Sequence, residues 1–200
     1  ATYRNHGLVK RSLYLLAGTA TEKGLVATCV FEHPEPVRGG NAILDYTALF
    51  APTVLEYLEA SGDRETAEDL WPLVVKQLDF TLGPVGADGL FRDPKKWWLF
   101  VDWNRTLEKE AAEHAIILHG LKATRQLAER LGRSDEVAFI PGVVERMQSA
   151  AMDQLWNEAQ GAFVSGTKHE VSWASQAWMV LAGVPSPEQA RRALRTVMAD

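Results

Sequence analysis

Leu44, Ala48, Ala51, Leu55 and Leu58 fall at steps of three and four, and the same period returns in Ile117, Leu121, Thr124, Ala128 and Leu131. That spacing puts apolar side chains on one face of an α-helix. No strand-like alternation runs for any length of the chain, so the fold class it dictates is all-α. The pattern predicts seven helices: about Tyr3–Ala20, a second carrying Leu44 to Leu58, a third from Asp63 through Trp71, Val74 and Leu78, a fourth over Leu107–Leu131, a fifth over Ser134–Trp156, a sixth over Ser172–Ala182 and a seventh over Ser186–Met198. Ser61-Gly62 and Gly132 read as helix stops, and Asp63 as the cap of the third helix. Pro52 and Pro72 each demand a kink or a first-turn position.

The connections alternate. Short turns at Ser61-Gly62 and Gly132-Arg133 contrast with long loops over 21–41, 83–106 and 157–171. Antiparallel helix pairs joined this way gather every long loop at one end, where a site would be built. Repeats of about 34 residues are missing, which counts against a tetratricopeptide array.

The loop over 83–106 is longer than a bundle connection needs, and loops of that length are commonly functional. Its core is Lys95-Lys96-Trp97-Trp98-Leu99-Phe100-Val101-Asp102-Trp103-Asn104. An indole face can pack on the C–H face of a sugar while a carboxylate accepts from its hydroxyls. Asp102 and Trp103 are therefore the first candidates for a sugar contact, with Trp98 beside them; a loop lid plugging the helix ends is the competing reading. Of the adjacent Trp97 and Trp98, one should face the core and one the solvent. Asp45 and Tyr46 open the second helix at the same end, where Asp45 could equally serve the helix N-terminus. Trp173 and Gln176, three apart at the start of the sixth helix, complete the candidate binding set, although Gln176 could instead bond backbone. Trp71, Trp156 and Trp178 read as core.

Composition narrows the function. A net charge of −5 offers no basic stripe for nucleic acid, and no apolar run reaches the length of a membrane span. Cys29 is the only cysteine, and His33, His114, His119 and His169 show no ligand spacing, so neither metal nor other cofactor is expected. The lone cysteine favours a cytoplasmic location, with periplasmic or secreted placement left open.

The order of several segments resembles a known family. Val9-Lys10-Arg11-Ser12-Leu13-Tyr14-Leu15-Leu16-Ala17 is followed by Glu22-Lys23-Gly24-Leu25-Val26-Ala27 and Ile43-Leu44-Asp45-Tyr46-Thr47-Ala48-Leu49-Phe50. Ser61-Gly62-Asp63, Asp88-Gly89-Leu90, the Trp98–Trp103 segment, Leu127-Ala128-Glu129-Arg130-Leu131-Gly132 and Ser172-Trp173-Ala174-Ser175-Gln176-Ala177-Trp178 come after. This series resembles the catalytic domain of bacterial α-L-rhamnosidases, the six-hairpin enzymes of glycoside hydrolase family 78.

The resemblance implies an (α/α)6 toroid, of which residues 1–200 form part of a single barrel. It implies inverting hydrolysis of terminal α-L-rhamnosides by a full-length parent, with a carbohydrate as partner. It also implies that the general acid lies before Ala1 and the general base after Asp200, so no catalytic residue is assigned within the chain. A non-catalytic helical module binding carbohydrate or peptide, and another (α/α)6 glycosidase of trehalase or glucoamylase type, are the alternatives. A partial barrel would leave apolar flanks on its first and last helices, at Leu8, Leu13, Leu16, Ala190, Leu194 and Val197, through which the chain could self-associate.

Overall fold

The computed structural model describes residues 5–199. Among these the apolar period is realised as helices α1 (His6–Gly18), α2 (Leu44–Ala48), α3 (Phe50–Ser61), α4 (Arg64–Thr81), α5 (Glu110–Leu131), α6 (Ile140–Gln154), α7 (Trp173–Leu181) and α8 (Pro187–Met198). The expected start of the first helix at Tyr3 lies outside the described residues; within them Asn5 caps α1 by accepting from the Leu8 amide. Gly62 and Gly132 end α3 and α5 with left-handed backbone at φ 72° and 73°, the conformation a glycine adopts without steric cost. Asp63 caps α4 through the Thr66 amide, as its spacing predicts.

The helices form two layers of a partial toroid. α3, α5 and α7 lie side by side, α5 packing against both of the others. α1 and α4 back α3, α6 backs α5, and α8 backs α7. Because the layers alternate along the chain, α3, α5 and α7 run in the same direction and begin at the same end. α5 is the axis of the arrangement: the run from Ala111 to Leu118 is buried on every side.

The second helix differs from its expected continuous form, breaking at Leu49 between α2 and α3. Pro52, in the first turn of α3, has no N–H to give the Ala48 carbonyl. α5 comes close at that point, where a Cβ built on Gly120 would stand 2.4 Å from the Ala48 oxygen. Glycine is thus the residue that lets the axis helix lie against this bend. The fifth expected helix also divides, into a 3-10 turn over Ser134–Val137 and α6, with Pro141 in the first turn of α6.

Two hairpins occupy the long loops, the later one where Asn157 to Gly166, with Gly161-Ala162-Phe163, reads as a hairpin-type loop in the sequence. β1 (Cys29–Phe31) pairs antiparallel with β2 (Val37–Gly39) in the first, and β3 (Trp156–Asn157) with β4 (Ala162–Phe163) in the third. Strands of two or three residues are too short to show alternation. Trp156 consequently sits in a strand and is half-buried, whereas Trp71 is in the core with its indole N–H donating to Glu136 at 2.7 Å.

The expected open flanks are corrected in part. Leu13 and Val197 are buried, and Leu16, Ala190 and Leu194 half-buried. Exposed apolar groups at the two ends of the arc include Leu8 and Val9 on α1, Leu181 on α7 and Met198 on α8.

Gly120→Ala should lower stability by about 1–3 kcal/mol, because the new methyl meets a backbone carbonyl rather than a movable side chain. Urea unfolding of the variant against the wild type measures it, and an unchanged midpoint would contradict the close approach.

Candidate functional site

The loop over 93–106 closes over the starts of α2 and α5. Its first anchor is a backbone ladder: the Trp98 amide donates to Ala42 and the Leu44 amide to the Trp98 carbonyl, each at 3.2 Å. Its second is Lys109, whose Nζ donates to the Leu99 carbonyl at 2.9 Å and to that of Asp102 at 3.3 Å. Phe100 is the hub of an aromatic cluster, edge-to-face with Tyr46, Trp98 and Trp103 at centroid distances of 6.1, 5.9 and 4.9 Å. Such pairs hold ring planes in fixed relation. Trp103 is nevertheless 80% exposed, and Trp98 is exposed beside it.

These groups line an open cleft of about 650 Å³. Its walls carry Trp97, Trp98, Asp102 and Trp103 from the loop, and Glu108, Lys109 and Glu110 from the approach to α5. Asp102 is exposed and spends one oxygen on the Trp103 amide at 2.6 Å. Glu108 is tied into the next loop, accepting from the Lys168 amide while its own amide donates to Glu170. The same contacts bring the start of α7, and with it exposed Trp173, beside the start of α5. Asp45, Asp102, Trp103 and Trp173 therefore share one end of the helices.

Trp98, Asp102 and Trp103 line this cleft; Tyr46 and Trp173 are exposed outside its lining, and Asp45 and Gln176 are buried. Gln176 is 0% exposed. Its amide donates to the Phe163 and Ser172 carbonyls and accepts from the Phe163 amide at 2.7 Å, so it brackets β4 to α7 rather than reaching a ligand. Asp45 is 2% exposed, and its oxygens accept from the Val101 and Tyr46 amides. Burial pushes its carboxyl above the ordinary carboxylate range, against the pull of those hydrogen bonds. Tyr46 is exposed and packs on Phe100. Trp97 and Trp98 divide as expected: Trp98 faces solvent while Trp97 is turned inward against Phe80. Trp178 is half-buried against His119.

Glu113 was not legible as a site residue. It is 0% exposed, one turn into α5, and among the described residues neither carboxyl oxygen has a hydrogen-bond partner. Burial raises its pKa well above the usual value, with Asp45 and Asp93 adding negative charge nearby. The available signal was a lone acid inside the apolar run Ala111-Ala112-Glu113-His114-Ala115-Ile116-Ile117-Leu118. Next to it, buried His114 joins three segments: its Nδ1 accepts from the Phe91 amide and its Nε2 donates to the Met147 carbonyl. Burial holds its pKa down at about 4. Among the described residues, no group of three or more histidines, cysteines or acids is placed to hold a metal ion, and no helix is long and apolar enough to cross a membrane.

Comparison with known proteins gives these features a setting. No family model matches the chain, and no curated protein matches it. Among solved structures, a rhamnosidase from Klebsiella oxytoca with rhamnose bound is 37% identical, with a TM-score of 0.93 over 98% of this chain. A glycoside hydrolase family 78 rhamnosidase of Bacillus sp. GL1 matches 96% of the chain at 20% identity and TM-score 0.78, and an α-L-rhamnosidase from Dictyoglumus thermophilum matches 98% at 13% and 0.76. The last two are likenesses of fold. The matched stretch is 38% of the Klebsiella chain, 20% of the Bacillus chain and 22% of the Dictyoglumus chain, so this chain spans about two fifths of the first relative or less of the others. The chain is similar in sequence to a segment of the Klebsiella rhamnosidase, and in fold to segments of all three.

Two pH effects follow from the buried groups. Unfolded His114 takes a proton near 6.5 while the folded state resists until about 4. Stability should therefore fall by about 3 kcal/mol as the pH drops across that window, and this contribution should level off below it. Glu113 acts in the opposite sense. Its raised folded pKa gives a contribution that is full below the ordinary value of 4.5 and lost as the pH rises toward the folded pKa. Glu113→Gln should thus be more stable than the wild type at pH 7 and lose that advantage by pH 4. Denaturant midpoints taken across pH measure both effects; an advantage of the Glu113→Gln variant that does not change with pH would show that folding does not protonate Glu113.

Proposed function

We propose that this chain supplies one wall of the sugar-binding cleft of an α-L-rhamnosidase-type glycoside hydrolase, whose full-length form cleaves terminal α-L-rhamnosides with inversion. The observation that carries this reading is the 37% identity, over 98% of the chain, to a rhamnosidase with rhamnose bound. The exposed Asp102–Trp103 pair on a strapped aromatic loop is in keeping with it.

In this reading Trp103 and Trp98 offer ring faces to the C–H face of the sugar. Asp102 accepts from its hydroxyls with the oxygen that the Trp103 amide leaves free. Tyr46 supports Phe100 behind them, and Trp173 stands exposed at the start of α7. Inverting hydrolysis needs a protonated acid and an ionised base roughly 6.5–9.5 Å apart, with a water between base and sugar. We assign neither to this chain: Asp93 is paired with Lys95 at 2.8 Å, Glu108 is tied to Lys168, and Glu113 is shut away from the cleft. Both belong instead to the part of the relatives that this chain does not match. The exposed Leu8, Val9 and Leu181 are the surfaces through which the chain would meet further polypeptide, a second copy of itself included.

The test is calorimetric titration of the chain with L-rhamnose, alongside an assay on an aryl α-L-rhamnoside. Binding should weaken by about tenfold or more in Asp102→Asn and in Trp103→Ala, the scale of a lost hydrogen bond to a charged group. The chain alone should show no turnover. Turnover by the chain that Asp102→Asn abolishes would place the chemistry inside it, and an absence of rhamnose binding would remove the sugar-cleft reading.

A further inference from the structure

Val101, a β-branched residue, sits at φ 47°. Left-handed backbone is unfavourable for such a side chain and persists only where the surroundings impose it. Here two groups from different elements do so. The Asp45 carboxylate, in the first turn of α2, accepts the Val101 amide at 2.6 Å. Lys109, just before α5, holds the carbonyls on either side, those of Leu99 and Asp102. The residue bent in this way lies between Phe100, the hub of the aromatic cluster, and the Asp102–Trp103 pair. The direction in which that pair faces the cleft is set by the Val101 turn.

We propose that Asp45 is a positioning residue: its buried carboxylate imposes the left-handed turn at Val101 and thereby fixes the pose in which Asp102 and Trp103 meet a sugar. The sugar belongs to the function proposed above; the positioning does not depend on it. Asp45 cannot itself reach a ligand, being 2% exposed with its two oxygens turned to two backbone amides. That arrangement also explains why a carboxylate stands there. Asparagine has one acceptor oxygen, so its NH2 group would face either the Val101 or the Tyr46 amide, donor against donor. A short bond from an amide to a charged acceptor is also stronger than its neutral counterpart, which suits it to hold a turn the backbone resists.

The experiment follows the Val101 amide by NMR hydrogen exchange in the 200-residue chain and measures L-rhamnose binding by titration. In the wild type the Val101 amide should be protected, and a freely exchanging Val101 amide would overturn the proposal whatever any variant does. Asp45→Asn should speed its exchange by about tenfold or more and weaken rhamnose binding by a similar factor. Adding Val101→Gly removes the resistance to the left-handed turn, so the Asp45→Asn/Val101→Gly double variant should recover most of the rhamnose affinity. A purely structural defect at Asp45 would be worsened by the added glycine, because glycine also loosens the unfolded chain. Unchanged Val101 exchange in Asp45→Asn, or a double variant that binds no better than the single one, would overturn the positioning role. If the wild type binds no rhamnose, the exchange data still decide that role, and only the proposed function fails.

Discussion

The rest of the structure depends on the first half of α5 being buried on every side. From Ala111 to Leu118 nothing of this helix meets solvent, and at Gly120 its backbone lies against the Ala48 carbonyl. A helical stretch sealed on all faces needs neighbours on all faces. α2 and α3 cover one side, α7 the other, and α4 and α6 the back. Small residues at Ala111, Ala112, Ala115 and Gly120 allow these neighbours to come close. Polar groups enter this core only with their own partners, as when Thr124 bonds the Gly120 carbonyl and Thr47 that of Ile43. His114 obeys the same rule. The exceptions are the Trp97 indole N–H and the Glu113 carboxyl, neither with a hydrogen-bond partner among the described residues, and burial raises the Glu113 pKa.

The helices were legible because their period is long and repeated, and because their ends carry chemistry that acts locally. Gly62, Gly132 and Asp63 each do in the structure what their residue type does in any helix. The break at Leu49 was less legible. Pro52 announced a disturbance, but whether a helix bends or begins at a proline depends on what packs against it, and here that is Gly120, far along the chain. The hairpin strands were invisible to period for want of length. Leu13 and Val197 were misplaced at open flanks because a helical stripe tells which face is apolar and not which neighbour covers it.

For the cleft, sequence reading found the aromatic loop and the residues that share its end, since Trp97, Trp98, Asp102 and Trp103 are conspicuous in a loop. It did not separate residues that face the cleft from residues that build it. Asp45 and Gln176 have the chemistry of sugar ligands, and both spend it on backbone amides and carbonyls. The distinction lies in burial, which contacts distant in sequence create. Lys109 and Val101 went unnoticed for the same reason: a lysine that binds two carbonyls and a valine at positive φ have no signature outside the folded loop.

The concentration of acids at one end has a topological origin. Alternation of the layers makes the helices that begin there parallel, so the N-termini of α2, α5 and α7 gather beneath the same loops. Each N-terminus presents unpaired amides and the positive end of a helix dipole, which favours carboxylates nearby. Asp45 in the first turn of α2, and Glu110 and Glu113 in that of α5, stand where such a field favours them. Desolvation opposes the field and wins for the two that are buried, Asp45 and Glu113, whose pKa values are raised. Glu110 and Asp102 remain at the cleft surface. The same alternation that seals α5 thus sorts the acids of this end into two kinds. Those drawn under the loop hold its backbone or have their pKa raised by burial, and those left at the rim line the open cleft.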